Sequence, residues 1–141
     1  MTENNTSLCF VDSNIWLYAF STNDKEENKR ILAKQLIQEK EIVISTQVVN
    51  EVSFNLFKKH KLDESSILNL INSFYNRYQI IQFNQNIYEL ASNVRGKYCF
   101  SFWDSLIIAS ALFADVNIFY SEDMQHKLTI EKKLTIINPF N

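Results

Sequence analysis

Short runs of apolar residues alternate along this chain with longer segments in which apolar residues recur every three or four positions. Such runs are typical of buried β-strands, and such segments are typical of amphipathic helices. The pattern predicts strands at 8–11, 42–45, 79–83, 117–120 and 134–137. Because alternating strands and helices favour a parallel sheet covered on both faces, we expect one doubly wound α/β domain over residues 1–141, with a central parallel sheet of four or five strands.

The helical segments begin at polar residues that can cap a first turn. A first short helix is predicted at 14–20, and the apolar residues at 87–94 mark another. The other predicted starts are Asp24, Ser45 or Thr46, Asp63 and Ser101. The helix after Asp24 is expected to bury Leu32, Leu36 and Ile37. Segment 101–114 is apolar nearly all round, which predicts a central, buried helix.

Composition sets the class of protein. The chain has 141 residues and a net charge of −2, and no apolar run approaches the roughly 20 residues that span a bilayer. Its polar N-terminus does not resemble a signal peptide, so we expect a cytoplasmic protein with no membrane partner. Cys9 and Cys99 lie in apolar segments without CxxC spacing and are expected to be reduced core residues. His60 and His126 lack metal-ligand spacing and are expected to be solvated.

Several kinds of chemistry lack the residues that they need. Gly96 is the only glycine, which excludes a phosphate-binding P-loop and a dinucleotide fingerprint. There is no GxSxG motif and no paired cysteine and histidine for nucleophilic hydrolysis. The net charge argues against bulk capture of nucleic acid, although neutralising a few acids with metal would leave a mildly basic remainder.

Four acids far apart in sequence are predicted to converge. In a doubly wound sheet, ligands bind beyond the carboxyl ends of the strands. Asp12 ends the first predicted strand, and Asp123 lies three residues after the fourth. Glu51 falls in the second turn of the helix after strand two, and Asp104 in the first turn of the buried helix. Those helix starts point at the same crevice as the strand ends.

Carboxylates that lie close together raise one another's pKa and resist ionising unless a cation is present. Carboxylate and water oxygens suit Mg²⁺ or Mn²⁺, whose charge stabilises the oxyanions that develop in phosphodiester cleavage. The four acids Asp12, Glu51, Asp104 and Asp123 are therefore candidate metal ligands and catalytic residues for one or two ions.

Each acid also has a structural interpretation. Asp12 can cap the helix that begins near Asn14, and Asp104 fits a capping box with Ser101. Asp123 fits an ordinary turn, whereas no helix ion pair accounts for Glu51. The functional prediction therefore depends on the whole set rather than on any one residue.

Other polar residues are candidates for supporting roles. Asn14 and Ser121 can hydrogen-bond a ligating carboxylate or a metal-bound water, or act as cap and turn residues. The basic residues that could contact RNA phosphates are Lys58, Lys59, Arg95 and Lys97. Cations near helix C-termini also interact favourably with the helix dipole, so both interpretations stay open.

Five segments in order resemble the motifs of PIN-domain nucleases, particularly the VapC toxins of bacterial toxin–antitoxin pairs. They are residues 10–19 around Asp12, 49–52 around Glu51, 102–111 around Asp104, 121–125 around Asp123, and the ending at 138–140. The resemblance implies a Mg²⁺- or Mn²⁺-dependent endoribonuclease that is a homodimer and is held inactive by a cognate antitoxin. It implies metal binding by Asp12 and Asp104, with Glu51 and Asp123 completing the site or positioning water.

Two positions depart from the family pattern. Ser13 stands where threonine is commoner, and His126-Lys127-Leu128 stands where a glycine-containing loop is expected. Two other functions are compatible with the same acids. One is a non-catalytic module whose acidic cleft binds a basic peptide. The other is a phosphoacceptor or phosphatase domain with Asp12 as nucleophile, although no second aspartate follows two residues later.

Overall fold

The computed structural model describes residues 8–141 as alternating strands and helices. Its helices are α1 Ser13–Phe20, α2 Glu27–Glu39, α3 Thr46–Lys59, α4 Glu64–Arg77, α5 Gln85–Tyr98 and α6 Phe102–Phe113. Its strands are β1 Leu8–Val11, β2 Glu41–Ser45, β3 Gln79–Ile81, β4 Ile118–Tyr120, β5 Thr129–Ile130 and β6 Leu134–Ile137.

The strands form one sheet in the order β3-β2-β1-β4-β6-β5. All neighbouring pairs are parallel except β5 and β6, which are antiparallel. The predicted doubly wound α/β fold is therefore confirmed. The chain moves outward from β1 to β3 and then crosses to β4 on the other side of β1. This reversal creates a crevice at the carboxyl ends of β1 and β4, which is where such folds bind ligands.

One edge of the sheet differs from the prediction. The short strand β5 was not predicted, because two residues are too few to show a periodic pattern. It turns directly into β6, where the Lys133 N–H donates to the Ile130 carbonyl at 3.0 Å. At the opposite edge of the sheet, β3 ends at Ile81 rather than at the predicted Phe83.

The start of α2 was predicted wrongly. Asn23 accepts a hydrogen bond from the Lys25 N–H at 3.0 Å and begins a 3-10 turn, so the α-helix itself starts only at Glu27. Leu32, which is expected to be buried, faces solvent, and the face of α2 that enters the core is marked by Ala33 and Leu36.

The other helix caps were predicted with mixed success. Asp63 accepts a hydrogen bond from the Ser66 N–H at 2.8 Å, and Ser101 accepts one from the Asp104 N–H at 3.1 Å, as expected for N-caps. Ser45 precedes α3, but its buried hydroxyl has no hydrogen-bond partner among residues 8–141. The predicted side-chain cap of α3 is therefore absent.

The core lies on both sides of β1. The α6 segment is buried over eight consecutive residues, 105–112, which confirms the prediction of a central helix. Phe10 of β1 stacks on Phe119 of β4, with ring centroids 5.2 Å apart. This packing fixes the two strands whose carboxyl ends flank the crevice.

Two expectations about single residues were wrong. Cys9 is buried as predicted, but Cys99 is exposed because it ends α5 in a left-handed conformation (φ 61°) that turns the chain toward α6. His60 is exposed, whereas His126 is half-buried and its Nδ1 accepts a hydrogen bond from the Asn138 N–H at 2.9 Å. Along residues 8–141 no helix is both long and apolar enough to cross a bilayer.

Candidate functional site

Asp12 lies at the carboxyl end of β1 and is nearly buried, at 6% exposed. Its N–H donates to the Tyr120 carbonyl at 3.0 Å, which extends the pairing of β1 with β4 by one residue. Its Oδ1 accepts a hydrogen bond from the Ser13 N–H at 2.7 Å and so caps α1. Its Oδ2 accepts hydrogen bonds from the Ser121 hydroxyl at 2.8 Å and the Asn14 amide at 3.3 Å. The Asp12 carboxylate therefore both caps α1 and takes part in the polar network of the site.

Asn14 and Ser121 connect Asp12 to the loop that follows β4. The Asn14 side-chain NH₂ donates to Asp123 Oδ2 at 3.0 Å, and its oxygen accepts from the Glu122 N–H at 3.3 Å. The Ser121 hydroxyl accepts from the Asp123 N–H at 3.2 Å. These contacts hold Asp123, which is exposed, beside the buried Asp12.

Glu51 joins the same network from α3. The Ser13 hydroxyl donates to Glu51 Oε1 at 2.9 Å and lies 3.5 Å from Asp12 Oδ1. Gln47, one turn earlier on α3, donates to Glu51 Oε2 at 3.5 Å and to the Trp103 carbonyl at 3.4 Å. The hydroxyl of Ser13 is therefore the direct link between two carboxylates that are 39 positions apart in the sequence.

Asp104 is half-buried in the first turn of α6. Burial raises the pKa of its carboxyl, the hydrogen bond with Ser101 lowers it, and the negative charge of Asp123 raises it further. Asp104 is therefore close enough to Asp123 to feel its charge, and Gln47 connects the neighbouring backbone to Glu51. Hydrogen bonds through Ser13, Asn14 and Ser121 join the other three acids, whereas Asp104 has no hydrogen bond to that network among the described residues.

Asp12 is the acid whose ionisation the fold disfavours most. Burial raises the pKa of Asp12 to about 7, against the hydrogen bonds from Ser121 and Ser13, and the charges of Glu51 and Asp123 add to the increase. Within residues 8–141 no lysine, arginine or histidine forms an ion pair with Asp12. A bound cation would therefore stabilise the ionised carboxylate.

The donor set consists of carboxylate and amide oxygens, which suit a hard divalent cation. In the described part of the chain, no three residues among His, Cys, Asp and Glu are gathered tightly enough to hold one ion. Mg²⁺ usually takes one or two protein carboxylates and keeps several waters, so a looser arrangement still fits it. The residues present therefore fit a hydrated Mg²⁺ or Mn²⁺ rather than a closed metal cage.

The predicted phosphate-binding cations lie in different surroundings. Lys58 and Lys59 are exposed in the last turn of α3, roughly 10 Å along the helix from Glu51 at 1.5 Å per residue. Lys97 pairs with Glu131 at 3.3 Å. Arg95 donates to the Ser105 hydroxyl at 2.6 Å and lies beside α6, the helix that carries Asp104.

A second polar cluster adjoins the site, and no pattern in the sequence indicates it. The Tyr18 hydroxyl donates to Glu122 Oε1 at 2.6 Å, and Lys29 forms an ion pair with the same carboxylate. Burial tends to raise the pKa of Glu122, but the hydrogen bonds from Lys29 and Tyr18 lower it overall. Lys29 also lies over the rings of Tyr18 and Phe140. Because Glu122 stands between Ser121 and Asp123, this cluster anchors the acidic loop.

A large cleft of about 1000 Å³ lies away from these acids, near the starts of β2 and β3. Its lining includes Trp16 and Phe74 together with the cations Lys34, Lys40 and Arg77. None of the predicted site residues lines it.

Comparison with known proteins agrees with this architecture. The family model of the PIN domain matches residues 9–130. The chain belongs to the PIN-domain family, which confirms the resemblance seen in its motifs. No protein of curated function matches the chain.

Solved structures of low sequence identity share the fold. A toxin–antitoxin complex from Klebsiella pneumoniae has a TM-score of 0.70 at 20% identity over 93% of this chain and 97% of that chain. VapC20 from Mycobacterium tuberculosis, described as a sarcin–ricin loop cleaving toxin, has a TM-score of 0.64 at 16% identity over 82% and 91%. VapBC2 from Rickettsia felis, bound to a promoter DNA fragment, has a TM-score of 0.61 at 18% identity over 92% and 96%.

Proposed function

We propose that this chain is a divalent-metal-dependent endoribonuclease whose site consists of Asp12, Glu51, Asp104 and Asp123. The observation that supports this most is the hydrogen-bond network of Ser13, Asn14 and Ser121, which links three of those carboxylates. Membership of the PIN-domain family supports it as well, as does the likeness to a toxin described as cleaving the sarcin–ricin loop.

In this proposal Asp12 and Asp104 hold one or two Mg²⁺ or Mn²⁺ ions, and Glu51 and Asp123 complete the site or orient the attacking water. When bound, the metal activates water and neutralises the charge that develops on the phosphate. Asn14 and Ser121 hold Asp12 Oδ2, and the Ser13 N–H holds Oδ1, so the carboxylate keeps a fixed orientation, as partners of ligating carboxylates ensure. The Ser13 hydroxyl does the same for Glu51.

We further propose that the protein is the toxin of a toxin–antitoxin pair. The solved structures that share its fold include complexes of toxin with antitoxin, some of them bound to DNA. A cognate antitoxin would then be its partner, RNA its substrate and the cytoplasm its location. A homodimer is part of the same proposal, on the family resemblance alone.

The test is cleavage of a mixed cellular RNA pool by the purified protein with Mg²⁺, with Mn²⁺ and with a chelator. Discrete fragments that require metal are expected. Asp12→Asn and Asp104→Asn should each lower the cleavage rate at least a hundredfold, because each removes a charged ligand from the site. Asp63→Asn is the matched control, since asparagine caps a helix as well as aspartate does and Asp63 takes no part in the site.

Full activity in Asp12→Asn or Asp104→Asn would remove that residue from the site.

A second function is favoured by the looseness of the acids, since no three of them within residues 8–141 gather around one point. In that case the acidic surface binds a basic peptide and does no chemistry. Absence of cleavage by a folded protein free of antitoxin, together with tight binding of an arginine-rich peptide, would support this second function.

A further inference from the structure

Two aromatic side chains are exposed in the first turn of α6, directly before Asp104. Trp103 is 63% exposed and Phe102 is 51% exposed. Their ring centroids lie 5.3 Å apart, with the ring planes at 85°. Trp and Phe side chains are largely buried in most folded proteins, and adjacent exposed ones mark a binding surface. Packing within the described chain therefore does not account for this pair.

The pair lies at the edge of the acidic site. Gln47 donates from one side-chain nitrogen to the Trp103 carbonyl at 3.4 Å and to Glu51 Oε2 at 3.5 Å. Asp104 is the next residue along α6. The backbone of Trp103 is therefore tied to Glu51 through Gln47 and continues directly into Asp104.

A positive charge accompanies the aromatic surface. The Arg95 guanidinium carbon lies 4.6 Å from the centroid of the Phe102 ring, and its Nη1 donates to the Ser105 hydroxyl at 2.6 Å. No acid among residues 8–141 forms an ion pair with Arg95. Flat apolar rings beside an un-neutralised cation are the surface on which unpaired bases stack while the backbone phosphates contact positive charge.

We propose that the Trp103 indole, flanked edgewise by Phe102, is a stacking platform for an unpaired base of single-stranded RNA, next to the bond that the acids would cleave. The proposal rests on the proposed function and assigns residues of this chain that would contact a base of its substrate. Bases in a duplex are already stacked on their neighbours, so the platform selects single-stranded segments and loops over paired RNA. Arg95 supplies positive charge for a phosphate beside that base.

Fluorescence can test the platform without any cleavage. The chain has two tryptophans, and Trp16 is buried at 3% exposed, so an added ligand that stacks on a tryptophan reports on Trp103. The protein in chelator is titrated with a single-stranded RNA oligonucleotide and with the same sequence as a duplex. The single strand is expected to quench the fluorescence and the duplex to require at least about tenfold more RNA. Trp16→Phe should keep this response, and Trp103→Phe should lose it.

Kinetics provide the second readout. Trp103→Ala should raise KM for single-stranded RNA by roughly tenfold and Phe102→Leu by less, and neither should change kcat much, because stacking contributes to binding rather than to chemistry. Phe54→Ala is the matched control, since Phe54 is equally exposed on α3 at 62%. Circular dichroism of each variant shows whether the fold is kept, and Trp103→Leu serves if Trp103→Ala does not fold.

The outcomes separate the platform from the nuclease. Metal-dependent cleavage with no quenching and with an unchanged KM in both variants would overturn the platform and leave the nuclease intact. Quenching by single-stranded RNA without any cleavage would overturn the nuclease and keep the platform as an RNA-binding site. Fluorescence that changes with protein concentration and not with RNA would mean that a second copy covers the aromatic pair, which also overturns the platform.

Discussion

At the scale of single residues, Asp12 is a carboxyl group that the fold removes from water. The hydrogen bonds from Ser13, Asn14 and Ser121 replace part of its hydration. They do not replace all of it, because burial still raises its pKa to about 7. The metal-free site is therefore a source of instability at neutral pH, and a cation would remove that instability.

The free energy of unfolding of the metal-free protein should depend on pH in a way that reflects the ionisation of Asp12. Between the ordinary aspartate pKa of about 4 and the raised value of about 7, the folded state holds a proton that the unfolded chain has released. The contribution of Asp12 to the free energy of unfolding therefore falls as pH rises through this interval and changes little above it. Urea unfolding in chelator at several pH values measures it.

Asp12→Asn should flatten that pH dependence, because asparagine does not titrate, and should be more stable than wild type at pH 8. Asp63→Asn keeps a cap on α4 and should leave the slope between pH 4 and 7 as it is in wild type. Equal slopes in wild type and Asp12→Asn would contradict the raised pKa.

The Tyr18 hydroxyl provides a second test at this scale. Tyr18→Phe keeps the ring that packs on Phe140 but removes the hydrogen bond to the charged Glu122. We expect the free energy of unfolding to fall by about 1 kcal/mol and RNA cleavage to slow, because the loop that carries Asp123 is held less firmly. Tyr75→Phe, at an exposed tyrosine of α4, is the matched control. Tyr18→Phe with wild-type stability and rate would show that the cluster does not anchor the loop.

The sequence predicts residue types at this scale better than it predicts contacts. Asp12 and Ser121 attract attention by their position after strands. Glu122 does not, since its partner Lys29 is 93 residues away and nothing local links the two. Ser13 is visible in the sequence only as an unusual replacement for threonine, and its contact with Glu51 requires the fold.

At the scale of elements, the turn between β5 and β6 has an unusual sequence. Glu131 and Lys132 have φ of 52° and 55°, the left-handed conformation of a tight hairpin turn that asparagine and glycine prefer. This conformation costs a non-glycine residue roughly 1–2 kcal/mol. Glu131 gains contacts with Tyr98 and Lys97, so Lys132 is the position to change.

Lys132→Gly should raise the free energy of unfolding by about 1 kcal/mol. Lys132→Ala removes the same charge but keeps the unfavourable conformation, and it should not stabilise the protein. Denaturant unfolding of both variants and of the wild type measures these free energies. A Lys132→Gly variant no more stable than Lys132→Ala would mean that the turn is not strained at this position.

Elements with long periodic patterns were predictable, and those that depend on turn conformation were not. The buried helix α6 and the cap of α4 follow directly from the sequence. The family pattern expects a glycine-containing loop near residue 127, but Lys127 itself adopts the left-handed conformation, with φ of 70°. Its N–H donates to the Ile136 carbonyl at 2.7 Å, so the loop closes onto β6 without a glycine.

At the scale of the whole molecule, metal binding and stability should be coupled. An ion that binds only the folded state adds about 2.7 kcal/mol at 100 times its Kd. We expect Mg²⁺ or Mn²⁺ to raise the thermal midpoint of the wild type, and KCl at equal ionic strength not to do so. Asp12→Asn should show a much smaller response to the divalent ion. A wild-type midpoint that does not change with Mg²⁺ or Mn²⁺ would argue against a metal site and for a peptide-binding surface.

The alternation of strands and helices predicts a parallel sheet, and the general rule about strand ends predicts where the acids meet. The sequence does not reveal that β1 lies between β2 and β4, although this order brings Asp12 to Ser121. The sequence also does not predict how close together the acids lie, because their spacing depends on side-chain orientations set by contacts across the sheet.

The contacts that assemble the acids join residues very far apart along the chain. Ser13 and Glu51 are separated by 38 positions, and Asn14 and Asp123 by 109. Contacts of such separation form slowly in folding, because a long loop must close before they stabilise anything. A partly folded chain therefore holds its acids apart and has no site. If the protein cleaves RNA, it does so only after the last long-range contacts have formed. The time at which RNA cleavage appears during refolding therefore measures when folding is complete.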